Sequence, residues 1–210
     1  MQTHYERIIQ KRDKLNSKRP LPASALTNIK ESLSIEWTYN SNSIEGNTLS
    51  LNETRIVLQD GMTIRGKSMR EHFEIMNHHE AIDFLETVVK ADYLINERDI
   101  MDIHALVLHK IEKEFAGRYR NGAVRIMGAN FIPPNALKVS DMMGELVAWA
   151  IENPMKLNAV ALASVFHHRF VYIHPFFDGN GRTVRLAMNL ILMRAGFPPA
   201  IILKNDRKKY

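Results

Sequence analysis

Apolar residues recur every three or four positions along most of this chain, a spacing that predicts amphipathic helices. One such stripe consists of Leu26, Ile29, Leu33 and Trp37. Ser24 stands just before the stripe, where an N-cap is expected. The first of the longer predicted helices therefore begins at Ser24 and carries its apolar face toward a core.

The same reasoning predicts further helices on both sides of this one. Residues 3–17 are polar with scattered apolar positions, which is typical of a surface helix. The sequence Ser68-Met69-Arg70-Glu71 predicts a capping box that opens a long helix to about residue 90. We expect Asn96 to cap another helix, and the helical period resumes at Ser140.

Two segments, 159–166 and 186–193, are apolar almost all round, as expected for helices in the centre of a fold. Between residues 122 and 134 the period changes, and the pattern predicts a short β-hairpin with its turn near residues 128–130. A lone hairpin is only marginally stable, so we expect this one to be retained for the contacts that it makes. The predicted fold is all-α, a helical bundle with one β-hairpin.

Composition narrows the classes of function. The 210 residues include no cysteine, which excludes disulfides, thiolate metal sites and a cysteine nucleophile. The net charge of +5 favours anionic partners, but does not distinguish nucleotides from nucleic acids or acidic surfaces. No helix-turn-helix or zinc-finger pattern is found, so a nucleic-acid partner is not expected.

Nothing in the sequence predicts a membrane span or a leader peptide, and we expect a cytoplasmic protein. The last residues, 205–210, look like the beginning of a helix. A C-terminal truncation is therefore part of the expectation. Two histidine pairs, His78-His79 and His167-His168, were considered as metal ligands, but adjacent positions on a helix point about 100° apart.

The segment between the two apolar helices carries the candidate chemistry. Gly179 and Gly181 allow the backbone to approach a ligand closely. They stand where the last helix begins, and the free N–H groups of a helix start bind anions. Arg182 and Arg185 are three residues apart, so both can face one ligand, and guanidinium groups suit phosphate.

Two other residues of the segment fit the same interpretation. Asp178 would repel a bare phosphate, but it suits Mg²⁺ that bridges phosphates. His174 is a candidate general base, because the unperturbed pKa of histidine is about 6.5. Each residue taken alone is more often structural, since Gly-Asn-Gly is a common turn; together they predict a site for nucleotide phosphates.

As a whole, residues 174–185 read HPFFDGNGRTVR and resemble the signature of the Fic domain family, HPFx[D/E]GNGRxxR, at every fixed position. The resemblance implies a Fic fold and the transfer of AMP from ATP to a Ser, Thr or Tyr hydroxyl of a target protein. It implies that His174 deprotonates the hydroxyl and that Asp178 holds Mg²⁺. Arg182 would bind the β-phosphate and Arg185 the γ-phosphate.

The resemblance assigns roles to two further groups of residues. The anion hole for the α- and β-phosphates would consist of Gly179, Asn180 and Gly181. The predicted hairpin resembles the family's flap, which aligns a target by strand addition. The flap residues would be Val124, Arg125, Ile126, Met127, Gly128, Phe131 and Ile132.

Ser41 and Glu45 are one helical turn apart and share a face. Alone, they would be a helix end with a solvated acid. They also resemble the Fic inhibitory motif [S/T]xxxE[G/N], which implies that Glu45 pairs with Arg185 and blocks the γ-phosphate pocket. The expected organisation is an inhibitory region, 1–60, and a Fic core, 61–210.

Several alternatives remain open at this stage. Some relatives of this kind remove AMP instead of adding it, and transfer of another phosphate-containing group is a further option. A non-catalytic binding module is the alternative outside the enzymes, although His174, Asp178 and Arg182 argue against it. Self-association into a homodimer is also considered.

Overall fold

The computed structural model describes residues 3–90, 93–126, 130–153 and 157–210. These ranges contain eight α-helices and no assigned strand. The helices are α1 (His4–Asn16), α2 (Ala23–Ile44), α3 (Leu51–Asp60), α4 (Met69–Val88), α5 (Glu97–Val107), α6 (Val139–Glu152), α7 (Ala159–Ile173) and α8 (Asn180–Arg194). Two short 3-10 turns, Ala136–Lys138 and Lys204–Asp206, complete the regular structure of the described residues.

Local capping explains where most of these helices begin. The predicted capping box at Ser68 is confirmed, and Asn96 accepts a hydrogen bond from the backbone of Asp99 at the start of α5. The expected cap at Ser24 is wrong. Helix α2 begins at Ala23 without a side-chain cap, because the N-cap residue is Pro22, whose side chain has no hydrogen-bond acceptor.

Helix α3 was not predicted from the apolar pattern. Its signals are local: Ser50 and Glu53 form a capping box, and Gly61 ends the helix with a left-handed φ of 64°. The helix places Val57 against Leu49 and Ile75 in a small apolar cluster. It therefore supports the turn that follows α2.

The predicted β-hairpin is not found in the described residues. Residues 123–126 and 132–135 carry no strand, while the flap residue Met127 and the turn residue Gly128 lie outside the described residues. The physical reason is that two short strands without a sheet have too few ladder hydrogen bonds to fix the geometry. The segment is irregular chain that runs from Arg120 toward α6.

Helices α7 and α8 lie at the centre of the fold. In α8, every residue from 182 to 192 is buried. The main cluster joins Phe166 and Phe170 of α7 to Val184 of α8. A second cluster packs Trp37 of α2 with Leu186 of α8, and this contact holds α2 along the helix that follows the signature segment.

Within the described ranges, no helix combines the length and the apolar character that crossing a membrane would require.

Candidate active site

The loop between α7 and α8 is held in one shape by its own backbone and one amide. His174 ends α7 with a left-handed φ of 50°, and its N–H donates to the carbonyl of Phe170 at 2.9 Å. The side chain of Asn180 accepts from the N–H of Phe176 at 2.9 Å and donates to the carbonyl of the same residue at 2.8 Å. Asn180 thus closes the loop with its side chain, and only its N–H faces outward.

The start of α8 offers unpaired donors. Among the described residues, no partner is found for the N–H groups of Asn180, Gly181 and Arg182. The side chain of Arg182 is 3% exposed, and its Nε and Nη1 atoms make no hydrogen bond, although Nη1 lies 3.4 Å from Oε1 of Glu74 and Nη2 lies 3.5 Å from Oδ1 of Asp178. Buried donors without partners are costly, so this cluster is preorganised for an anionic ligand.

The predicted contact between the inhibitory motif and the signature segment is present. Nη2 of Arg185 donates to Oε1 of Glu45 at 2.7 Å, and Nε of Arg185 donates to Oγ of Ser41 at 3.0 Å. Arg185 is 3% exposed and Glu45 is 37% exposed. The acid therefore reaches inward from the end of α2 to a buried cation.

The carboxylate of Glu45 also lies against Gly181, at the start of α8. A β-carbon added to Gly181 would overlap with Oε1 of Glu45 and lie 2.9 Å from Nη1 of Arg185. In the present arrangement, a larger residue at position 181 would require the Glu45 side chain to move. The carboxylate of Glu45 thus occupies space next to the unpaired N–H groups, as well as bonding the guanidinium of Arg185.

His174 has the environment of a base. Burial and the nearby Arg120 cation lower the pKa of its imidazole, so the neutral form prevails at pH 7. Its Nδ1 atom is buried and makes no hydrogen bond of standard geometry in the described ranges, while the backbone of Val171 raises the pKa against the larger effect of burial. Nε2 is therefore the nitrogen left to meet an incoming hydroxyl.

Arg120 is a residue that sequence reasoning missed. Its guanidinium is 2% exposed and pairs with carbonyl groups only: Nε donates to His174 at 2.8 Å, Nη1 to Gly122 at 2.9 Å and Nη2 to Pro134 at 2.5 Å. Its own N–H donates to Pro175 at 2.9 Å. One side chain thus joins the base to both ends of the segment expected to be the flap.

His104 is a second residue that the sequence did not single out. Its ring stacks on Phe176 with centroids 3.6 Å apart. Nε2 donates to the carbonyl of Asp178 at 3.0 Å, and Nδ1 accepts from the N–H of Gly117 at 3.0 Å. Both bonds require the neutral ring, and burial lowers the pKa of His104 to about 4.

Asp178 is the residue expected to hold a metal ion. Its Oδ1 accepts from the N–H of Gly179 at 2.6 Å, and its Oδ2 accepts from Nη2 of Arg70 at 2.8 Å. No group of three metal-binding side chains occurs among the described residues. A single carboxylate nevertheless fits Mg²⁺ when substrate phosphates and water supply the other oxygens.

The expected flap residues border the loop, but do not form a ladder. Phe131 stacks on Tyr172 of α7 with centroids 5.8 Å apart, and Ile132 is 75% exposed. Val124 and Ile126 are half-buried, whereas Arg125 is exposed. Apolar side chains thus face solvent beside the loop, while Met127 and Gly128 are outside the described residues.

Two other features add no metal site in the part of the chain that the structure describes. In the first histidine pair, His79 Nδ1 bonds Ser34 Oγ at 2.8 Å, whereas the buried His78 bonds Thr38 Oγ1 at 3.3 Å. An apolar cavity of about 290 Å³ lies elsewhere, and its lining includes Tyr93 and Leu162. Neither offers convergent polar groups, so the chemistry is assigned to the loop.

Comparisons with known proteins agree with this geometry. A sequence profile described as the Fic/DOC family matches residues 94–192. The chain is 40% identical over its full length to a protein named protein adenylyltransferase Fic from Culex quinquefasciatus, and it is 40% identical over 98% of its length to one of the same name from Nematostella vectensis. It spans 42% and 48% of those proteins, less than half of each.

Solved structures show the same fold. A Fic domain containing signaling protein from Bacteroides thetaiotaomicron matches with a TM-score of 0.87 and 29% identity, over 97% of this chain and 79% of that one. Fic-1 from C. elegans matches with a TM-score of 0.85 and 36% identity, over 97% of this chain and 60% of that one. With the profile match, the whole-chain identity and the intact signature loop, the chain belongs to the Fic/DOC family.

Proposed function

We propose that this chain transfers AMP from ATP, with Mg²⁺, to a hydroxyl group of a protein target. The observation that carries the proposal is the meeting of a neutral imidazole, unpaired N–H groups and two buried arginines at one loop. The relatives named protein adenylyltransferase Fic support the same activity. Because the chain spans less than half of those proteins, the target is not carried over from them.

The proposed chemistry follows from the loop. Nε2 of His174 accepts the proton of the target hydroxyl as its oxygen attacks the α-phosphorus. The bond from that phosphorus to the bridging oxygen breaks, and pyrophosphate leaves. The N–H groups at the start of α8 and the side chains of Arg182 and Arg185 stabilise the charge on the phosphates. Mg²⁺ held by Asp178 would neutralise further phosphate charge.

In this proposal the N-terminal region, 1–60, is the inhibitor of the core, 61–210. Arg185 cannot bind a γ-phosphate in the expected pose while it bonds Glu45 at 2.7 Å. The same carboxylate fills the space beside Gly181. The Glu45→Gly variant removes both obstacles, and we expect it to transfer AMP faster than the wild-type chain.

The test is incorporation of label from ATP that carries ³²P at the α-position, with Mg²⁺ present. The wild type is compared with Glu45→Gly, with Glu45→Gly/His174→Ala, and with Glu36→Gly. Glu36 lies on the same helix and is exposed, so its variant is a control for the cost of glycine in α2. Self-modification serves as the first readout, and a lysate analysed by mass spectrometry for added AMP serves as the second.

We expect much more label in the Glu45→Gly protein than in the wild type or in Glu36→Gly, and its loss when His174 is replaced. Equal labelling of Glu45→Gly and the wild type would refute the inhibitory role. Labelling that survives the change of His174 would refute its role as the base. Label from ATP that carries ³²P at the γ-position instead would indicate transfer of another group.

Removal of AMP is the second candidate, because Glu45 lies close to His174. The charge of Glu45 raises the pKa of the His174 imidazole, although burial lowers that pKa by more. A carboxylate there can orient water toward a modified hydroxyl. Release of AMP from a labelled protein by the wild type, but not by Glu45→Gly, would favour it. The homodimer and the cytoplasmic location stay predictions, to be tested by light scattering and by imaging of the tagged chain.

A further inference from the structure

The carboxylate expected to hold Mg²⁺ is already bonded to a cation of the protein. Nη2 of Arg70, at the start of α4, donates to Oδ2 of Asp178 at 2.8 Å. This contact joins residues 108 positions apart, so it depends on the packing of α4 near the loop. Oδ1 of Asp178 accepts from the N–H of Gly179 and lies 3.5 Å from Nη2 of Arg182, so Arg70 is the cation that holds Oδ2.

A guanidinium and a divalent cation cannot occupy this oxygen together without strong repulsion. Both would lie within a few ångströms of Oδ2, and like charges at that distance oppose each other even in water. The contact with Arg70 is easily lost, because Arg70 is 49% exposed and Asp178 is 43% exposed. A divalent cation bound with phosphates can therefore displace it.

Two more carboxylates are in place to receive the displaced side chain. Nη1 of Arg70 lies 3.3 Å from Oε1 of Glu112, and Nε lies 3.4 Å from Oε1 of Glu74. Arg70 can leave Asp178 and keep both of these partners. The arrangement thus holds the cation near the loop in either position.

We propose that Arg70 acts as a built-in counter-cation: it occupies Asp178 until a divalent cation arrives with the nucleotide, and so sets how strongly the metal strengthens nucleotide binding. The inference rests on the proposed function, since it takes Asp178 as the ligand of Mg²⁺. It makes Arg70 a regulator of metal loading, distinct from the contact between Glu45 and Arg185.

The test measures binding of a fluorescent ATP analogue, mant-ATP, first with EDTA and then with saturating Mg²⁺. The ratio of the two dissociation constants reports how much the metal contributes. Arg70→Gln removes the charge and keeps a polar side chain. Arg98→Gln is the matched control, because Arg98 is an exposed arginine paired with Asp102 on α5 at 3.0 Å. Asp178→Asn removes the proposed ligand.

We expect Arg70→Gln to raise the ratio on the order of tenfold, the size expected for removing one positive charge about 5 Å from a divalent ion in water. Arg98→Gln should leave the ratio unchanged. Asp178→Asn should lower it toward one, and adding Arg70→Gln to that variant should then have no effect on the metal contribution.

If Arg70→Gln has the same ratio of dissociation constants as Arg98→Gln, the inference is overturned, because Arg70 does not then oppose the metal. If Arg70→Gln has a lower ratio, or binds mant-ATP more weakly in EDTA, the inference is overturned as well, since Arg70 is then a phosphate ligand. If Arg70→Gln raises the ratio while Glu45→Gly incorporates no AMP, the proposed transfer activity fails and the role of Arg70 stands.

Discussion

Replacing Arg120 should both destabilise the fold and change the base. The change Arg120→Ala leaves four carbonyls, those of Ile173, His174, Gly122 and Pro134, without the donor that now bonds them. An unsatisfied buried acceptor costs about 1–3 kcal/mol. We therefore expect the free energy of unfolding to fall by about 3–5 kcal/mol.

The same change should move the pKa of His174. The Arg120 cation lowers that pKa, second only to burial, so its removal raises the pKa toward the ordinary value. A base works in its neutral form, and the acidic limb of the labelling rate should shift to higher pH. Arg120→Lys keeps the charge but not the planar array of donors. It should therefore keep the pH profile, and its free energy of unfolding should fall by about half as much as that of Arg120→Ala.

Urea denaturation measures the free energy of unfolding. The pH dependence of ³²P incorporation in the Glu45→Gly background locates the acidic limb of the labelling rate. An NMR titration of the His174 ring gives its pKa without reference to activity. The reasoning is refuted if Arg120→Ala unfolds at the urea midpoint of the parent. It is also refuted if Arg120→Ala and Arg120→Lys show the same pH profile.

Two more predictions follow from buried groups of the site. Folding favours the neutral ring of His104, whose pKa falls to about 4 in the folded state. This contributes on the order of 3 kcal/mol of stability, which is complete above pH 6.5 and is lost as the pH falls toward 4. The free energy of unfolding, measured by denaturation across this range, should therefore fall with decreasing pH, and His104→Gln should make that fall smaller. Ser41→Ala removes the acceptor of Nε in Arg185. It should raise labelling by less than Glu45→Gly does, and labelling equal to that of Glu45→Gly would contradict a supporting role.

The parts of the site that lie close together in the chain could be predicted from the sequence. The capping box at Ser68 and the cap at Asn96 are local signals, and both are confirmed. The contact between Glu45 and Arg185 spans 140 residues, yet it could be expected, because each residue belongs to a recognisable motif. Motifs carry such pairings when spacing alone does not.

The residues that were missed act through tertiary contacts without a motif. Arg120 meets carbonyls up to 54 residues away, and backbone carbonyls leave no trace in the side-chain pattern. Arg70 reaches Asp178 only because α4 packs near the loop. The hairpin expected near Val124 is a different error: alternation of apolar residues was present, but a sheet to complete it was not.

The position of Glu45 at the very end of α2 has a consequence for how completely the proposed inhibition could block transfer of AMP. A rotation of one side chain, with no helix melting, is enough to withdraw Glu45, whose carboxylate is already partly in water. One charge-assisted hydrogen bond contributes roughly 1.5–3 kcal/mol, which corresponds to a withdrawn population of about 1–7 per cent. Under the proposed function, inhibition of this kind would be graded: residual transfer of AMP would persist and would rise with the ATP concentration.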